Sequence, residues 1–165
     1  MKDCLLLANI NVITYKEVFP PLKNNILRPG VVFNKTLEFE GEKGPTKKPG
    51  IAWYTTLSTP VKDKLVLTKT YNEKDYPKYD NYPAINVDKV KDIPYDYDGV
   101  IGVPITIFKY DLDEVEIQGL SADKRNDDDW CIKGDPTYLD EKHKHFQGMV
   151  KDGKPKYARV LIKKT

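Results

Sequence analysis

Residues 4 to 8 read Cys-Leu-Leu-Leu-Ala, a continuous apolar run of strand length. A strand that is apolar on both faces needs cover on both, as the strands of a parallel sheet have between layers of helix. The run therefore predicts an interior strand of an α/β sheet, with neighbours that the rest of the chain does not obviously supply. It is far too short to cross a bilayer and lacks the basic flank and small-residue cleavage site of a signal peptide. A cytoplasmic protein with no membrane partner is the expectation.

Beyond this run the chain reads as a strand giving way to a helix. Thr14-Tyr-Lys-Glu17 has the form of a capping box, in which the Thr hydroxyl and the Glu carboxylate satisfy the first amides of a helix. Val18, Phe19, Leu22 and Ile26 would supply its apolar stripe, and Pro20-Pro21 would kink or shorten it. Asn9 and Asn11 stand at the junction. In open α/β sheets ligands gather beyond the carboxyl ends of the strands, so these two amides are substrate-pocket candidates. Asparagine is also a common turn former and helix starter, and that reading stands beside the first.

Further strands are expected at 31–39, 51–57, 64–69, 100–108, 114–120 and 157–164, with GEKGPTKKPG at 41–50 as a loop. From about Tyr71 the texture becomes rich in Tyr, Asp, Lys and Pro, as in a long ordered loop or recognition region. We therefore divide the chain into 1–70, the strands and helix of an α/β domain, and 71–165, a recognition region with closing strands.

Charge is informative by distribution. The net charge is only +2, yet acids greatly outnumber bases between Asp92 and Asp129, while 43–91 and 151–164 run the other way. Folding can bring the two basic segments to one face, or leave their lysines merely solvated. Cys4 and Cys131 fit no CxxC or secretory framework and are read as free thiols. His143, His145 and Cys131 lack the spacing of a zinc module, and Asp127-Asp128-Asp129 reads as a solvated loop, so no metal site is assigned. Gly99-Val-Ile-Gly102 lacks the glycine spacing of a phosphate cradle.

Five segments carry a resemblance: LLLANINVITYKEVFPPLKNN, IAWYTTL, KYDNYPAINVDKVKDIPYDYDGVIGVPITIF, HKHFQGMV and YARVLIKK. In this order, nearly end to end, they resemble the C-terminal half of the EcoRI-type adenine-specific DNA methyltransferase family. The resemblance implies part of a Rossmann-like methyltransferase sheet, strand-rich, with a loop-rich recognition region. It also implies S-adenosylmethionine as the methyl donor, double-stranded DNA as the partner, and the exocyclic N6 of an adenine turned out of the duplex as the acceptor. The block from Lys78 to Thr106 then becomes a DNA-facing segment. Tyr79, Tyr82, Tyr95 and Tyr97 offer rings and hydroxyls, Asn81 and Asn86 offer donor and acceptor pairs, and Lys78, Lys89 and Lys91 can meet phosphates. For each tyrosine, packing of a loop against the sheet is the competing account.

The family carries, upstream of the strand that opens this chain, an Asn-Pro-Pro-Phe motif that orients the target amine, and a glycine-containing segment that wraps the donor. Neither occurs here, and Phe19-Pro-Pro21 lacks the amide. No catalytic and no cofactor-binding residue is assigned. The expectation is the C-terminal part of a site-specific DNA adenine-N6 methyltransferase of restriction-modification or phage type, inactive alone and completed by a separately encoded N-terminal half. The alternative is a truncated relative serving as a non-catalytic DNA-binding or antagonist module.

Overall fold

The computed structural model describes residues 3–58, 62–121, 129–135 and 147–165. Its contacts divide into two units, Met1–Asp63 with Phe108–Asp111, and Lys64–Ile107 with Leu112–Thr165.

The first unit is an antiparallel sheet. β1 (Leu5–Asn9) leads into a 3-10 helix (Ile10–Thr14) and a short α1 (Phe19–Lys23); β2 (Arg28–Pro29), β3 (Lys35–Phe39) and β4 (Thr46–Thr55) come next. β4 is the organising strand, with β1 on one side of it and β2 then β3 along the other. β1 runs antiparallel to β4, with Leu5 opposite Thr55 and Asn9 opposite Ile51. This corrects the expected interior parallel strand. β1 is an edge, Leu5 is 64% exposed and Leu6 39%. An apolar run reports that a strand can be buried, but only neighbours bury it, and among the described residues β4 alone pairs with β1.

The expected helix also starts later than its capping box. The Thr14 hydroxyl donates instead to the Asn11 carbonyl at 2.9 Å, and α1 begins at Phe19 with no side-chain cap. The prolines decide this. A proline has no amide hydrogen to give to an inner turn, so Pro20 and Pro21 are accepted only in the first turn, where that hydrogen would be unsatisfied anyway. Phe19 and Leu22 are buried as the stripe requires, whereas Ile26 is exposed. Phe19 meets Phe108 edge to face at 6.3 Å, and Phe33 meets Tyr54 likewise at 6.4 Å. The fully buried Tyr54 hydroxyl donates to the Ile10 carbonyl at 3.3 Å, and burial pushes it well above the usual phenol range.

Of the segment expected as a loop at 41–50, the first half is the turn that closes a two-stranded ribbon of β3 and β4, in which the Gly44 amide donates to the Gly41 carbonyl, and 46–50 is strand. Lys35 pairs with Ile51, but Leu37 pairs with Lys48. The extra residue lies in β4 at Pro49-Gly50, a β-bulge, and Gly50 takes a φ of 67° that a side chain would strain.

In the second unit β5 (Asp63–Lys64) marks the boundary, and β6 (Ala84–Asn86) and β7 (Val100–Pro104) run parallel. After β8 (Tyr110–Asp111), which belongs to the first unit, the second unit continues with β9 (Val115–Ser121), β10 (Val150–Lys151), β11 (Lys154–Pro155) and β12 (Arg159–Lys164). The sheet order is β6-β7-β12-β9, with β12 antiparallel to both neighbours, so the sheet is mixed. Ile101, Gly102 and Val103, and next to them Val160, Leu161 and Ile162, are each buried without a break. Strands covered on both faces therefore exist in this protein, but they are β7 and β12. Two expected strands are shorter than their sequence pattern. β7 ends at Pro104 and passes into a 3-10 helix over Ile105–Lys109, and 64–69 yields no strand beyond β5 apart from a single bridge from Lys69 to Pro94. The tyrosine-rich stretch and this sheet fall in one unit, and this positions the candidate site.

Candidate nucleic-acid interface

The stretch from Lys78 folds back on itself before entering the sheet. The Tyr79 amide donates to the Ala84 carbonyl at 3.0 Å and the Asn86 amide to the Pro77 carbonyl at 2.8 Å, a fold that leaves Tyr79, Asn81 and Asn86 buried and Tyr82 half-buried.

Tyr79 is interior. Its ring packs with Ala84, Met149 and Leu161, and Tyr82, Val100 and Ile132 lie at the margin of this cluster. Its hydroxyl donates to Asn86 Oδ1 at 3.0 Å, and burial pushes the phenol up to about 12. Asn86 sits on β6, 4% exposed. Asn81 is a clamp: its amide nitrogen donates to the Gly148 carbonyl at 2.9 Å and its oxygen accepts from the Val150 amide at 2.8 Å. A Cβ on Gly134 would stand 2.0 Å from the Asn81 nitrogen, so that glycine is required by the clamp. Tyr79, Asn81 and Asn86 thus correct the simple picture of a wholly DNA-facing block, since their polar atoms are taken up within the unit.

Of the contact candidates in the block, Lys78, Lys89, Lys91 and Tyr95 lie on the surface, the last 46% exposed, and Asp88, Asp96 and Asp98 are exposed with them. Lys89 precedes and Lys91 lies within a 3-10 turn (Val90–Asp92) held down by buried Val90. Tyr95 is fixed through its backbone, its amide donating to the Lys69 carbonyl at 2.9 Å and its carbonyl accepting from the Lys164 ammonium. Tyr82 and Tyr97 are half-buried. Tyr97 lies 4.6 Å from Tyr71, which in turn lies 5.7 Å from Tyr76, giving a row of three rings.

Beside this block is a charged cluster that sequence reasoning missed. Arg159 Nη2 donates to Asp88 Oδ1 at 2.8 Å, and Lys156 Nζ lies 3.5 Å from the same oxygen. Partial burial works against the Asp88 charge, but the hydrogen bond from Asn86 and the two cations outweigh it and hold the carboxyl below the usual range. The available signal was an arginine directly before the apolar run Val-Leu-Ile of a strand, in a chain with only three arginines.

In the first unit Asn9 and Asn11 do stand where β1 gives way to the 3-10 helix. Asn9 Oδ1 accepts from the Asn11 amide at 3.0 Å, so the Asn9 oxygen caps that helix, as a turn former does. Both residues are exposed. His143, His145, Asp127 and Asp128 lie outside the described residues, and among the described residues no three metal-ligating side chains come together. No disulfide joins Cys4 and Cys131. No helix among the described residues is long and apolar enough to cross a membrane.

Comparison with known proteins gives these residues a context. The family model described as adenine-specific methyltransferase EcoRI matches residues 36–165. The type II methyltransferase M.EcoRI of Escherichia coli is 41% identical over 137 residues, covering 70% of this chain and 42% of that protein. M.MgeORF184P of Mycoplasma genitalium is 32% identical over a 192-residue alignment, covering 99% of this chain and 57% of the relative. M.MpnI of Mycoplasma pneumoniae is 30% identical over 184 residues, covering 98% and 56%. The chain spans about half the length of the curated relatives it matches. No solved structure matches it. With the tyrosine-rich block, the mixed sheet and the closing strand all inside the matched region, the chain belongs to the EcoRI family of adenine-specific methyltransferases.

Proposed function

We propose that this chain is the DNA-recognition part of a site-specific adenine-N6 methyltransferase built on a Rossmann-like sheet, inactive by itself and completed by the half of its relatives that it does not span, which carries the donor and the catalytic motif. The observation that carries the reading is the identity to M.EcoRI over 70% of this chain, set against 42% of that relative. In this reading Lys78, Lys89 and Lys91 meet phosphates, Tyr95 and the half-buried Tyr82 and Tyr97 offer ring faces, and Tyr79, Asn81 and Asn86 hold that surface in place from beneath. Of the two substrate-pocket candidates Asn11 is the better placed, because the Asn9 oxygen is already spent on its cap.

S-adenosylmethionine supplies an electrophilic methyl group where it binds, and the described residues do not fit it. The buried polar side chains are Thr55, Asn81, Asn86 and Ser121, all uncharged. Each is hydrogen-bonded within its own unit: Thr55 to the Cys4 carbonyl, Ser121 to the Met149 amide, and the asparagines as described. No step of the transfer is assigned to this chain.

The test is titration of a labelled mixed-sequence duplex with the pure chain, with and without S-adenosylmethionine. The reading predicts salt-sensitive binding that the donor leaves unchanged. Failure to bind any duplex rejects it. A binding-only antagonist uses the same surface and is distinguished by adding a polypeptide with the Asn-Pro-Pro-Phe motif, which restores methyl transfer only if the chain is half of an enzyme.

A further inference from the structure

Within the first unit the β3–β4 ribbon has no cover. Every residue from 34 to 49 is exposed except Leu37 and Gly44, which are half-buried. A two-stranded ribbon alone is marginal in water, so one that projects beyond its sheet is better understood as an arm held for a partner.

Its two faces differ in charge. The register sets Leu37 opposite Lys48 and Phe39 opposite Thr46, and strand alternation adds Lys35 to the same side. That face carries two ammonium groups, the Leu37 side chain, the 38%-exposed Phe39 ring and no carboxylate. Neither Lys35 nor Lys48 has an ion-pair partner among the described residues. The opposite face bears Glu38, paired with Lys47 at 3.7 Å, and alternation brings Glu40 to the same side. The acids are thus segregated away from the apolar and cationic side. At the base of the arm, Asn34 (φ 55°) and Gly50 (φ 67°) occupy left-handed conformations in the two strands, and the bulge at Gly50 fixes the direction in which the ribbon departs.

We propose that this ribbon enters a groove of duplex DNA, with Lys35 and Lys48 on phosphates and Phe39 against base edges. The inference rests on the reading that the chain binds DNA, and adds a second contact surface to the tyrosine-rich block. A two-stranded ribbon fits the width of the major groove, where an aromatic ring can meet a thymine methyl. An acid-free face is required at such depth between two phosphate rows, because a carboxylate there is repelled by both. A protein partner is the competing occupant; it offers no reason for both cations to remain unpaired on the apolar side.

The test compares the full chain with K35E/K48E, with Phe39→Ser, and with Lys47→Glu on the other face, by anisotropy of a labelled mixed-sequence duplex across a salt series. All four residues are exposed, so equal melting temperatures will certify the fold. K35E/K48E is expected to weaken binding roughly tenfold or more and to lower the salt slope by about 2, near 0.9 for each phosphate that the protein ceases to neutralise. Phe39→Ser is expected to weaken binding with the slope unchanged, and Lys47→Glu to do far less than K35E/K48E. If the unaltered chain binds and K35E/K48E matches it in affinity and slope, or if Lys47→Glu weakens binding as much, the ribbon proposal is overturned while the DNA-binding reading survives. If the unaltered chain binds no duplex, both fall.

Discussion

The hydroxyl of Tyr79 occupies the space that a side chain on Gly102 would need: a Cβ built there would stand 2.2 Å from it. The recognition block and the central strand β7 are thus locked together by a residue that has no side chain. Gly102→Ala must displace a fully packed phenol that also holds Asn86. We expect a loss of about 1 to 3 kcal/mol, the usual cost of overpacking, read as a lower urea midpoint with an unchanged slope. Tyr79→Phe, which removes only the hydroxyl, should cost about 1 kcal/mol. Equal midpoints for Gly102→Ala and the parent would show that the contact is not formed.

Asn81 joins the block to residues 67 and 69 positions away. Asn81→Ala leaves the Gly148 carbonyl and the Val150 amide without partners in a buried place, at about 1 to 3 kcal/mol for each unsatisfied group. Hydrogen exchange should show the Val150 amide losing protection first. Retained protection at that amide would contradict the clamp.

Asp88 makes stability depend on acidity. Its folded-state carboxyl is held below the ordinary value of 3.8, so its contribution is fully present above that value and is lost as pH falls through the lower folded one. Urea midpoints measured from about pH 5 downward should fall more steeply for the parent than for Asp88→Asn, with the two converging at the acid end. Parallel pH profiles would remove Asp88 from the account.

In the proposed reading the exposed lysines of the block meet DNA through charge alone. Replacing Lys78, Lys89 and Lys91 by alanine should lower the salt slope of duplex binding by up to about 3, near one per phosphate contact, with little effect on melting. An unchanged slope would move the interface elsewhere.

Much of this was legible in the sequence where the signal is local. The strand at 114–120 fell within one residue of β9, whereas the tyrosine-rich stretch, read as a loop, holds the short strand β6 of the sheet. What failed was long-range. Leu5 and Leu161 both sit in apolar runs, yet the first is 64% exposed and the second is fully buried, because β12 has strands on both sides and β1 has one among the described residues. Thr14 and Glu17 spelled a cap that two prolines overruled. Within the candidate site, Tyr79 and Tyr95 are the same residue type in the same block, and only the fold separates an anchor from a surface ring. Asp88, Lys156 and Arg159 meet only after the chain has closed β12 onto the sheet, so no spacing could reveal them.

The central proposal is that this chain recognises DNA and does not transfer methyl groups by itself. It is tested most directly by incubating the pure chain with radiolabelled S-adenosylmethionine and adenine-containing duplex, alone and together with a polypeptide bearing the Asn-Pro-Pro-Phe motif. The account predicts no label in DNA from the chain alone and N6-methyladenine when the two are combined. Methyl transfer by the chain alone would contradict it.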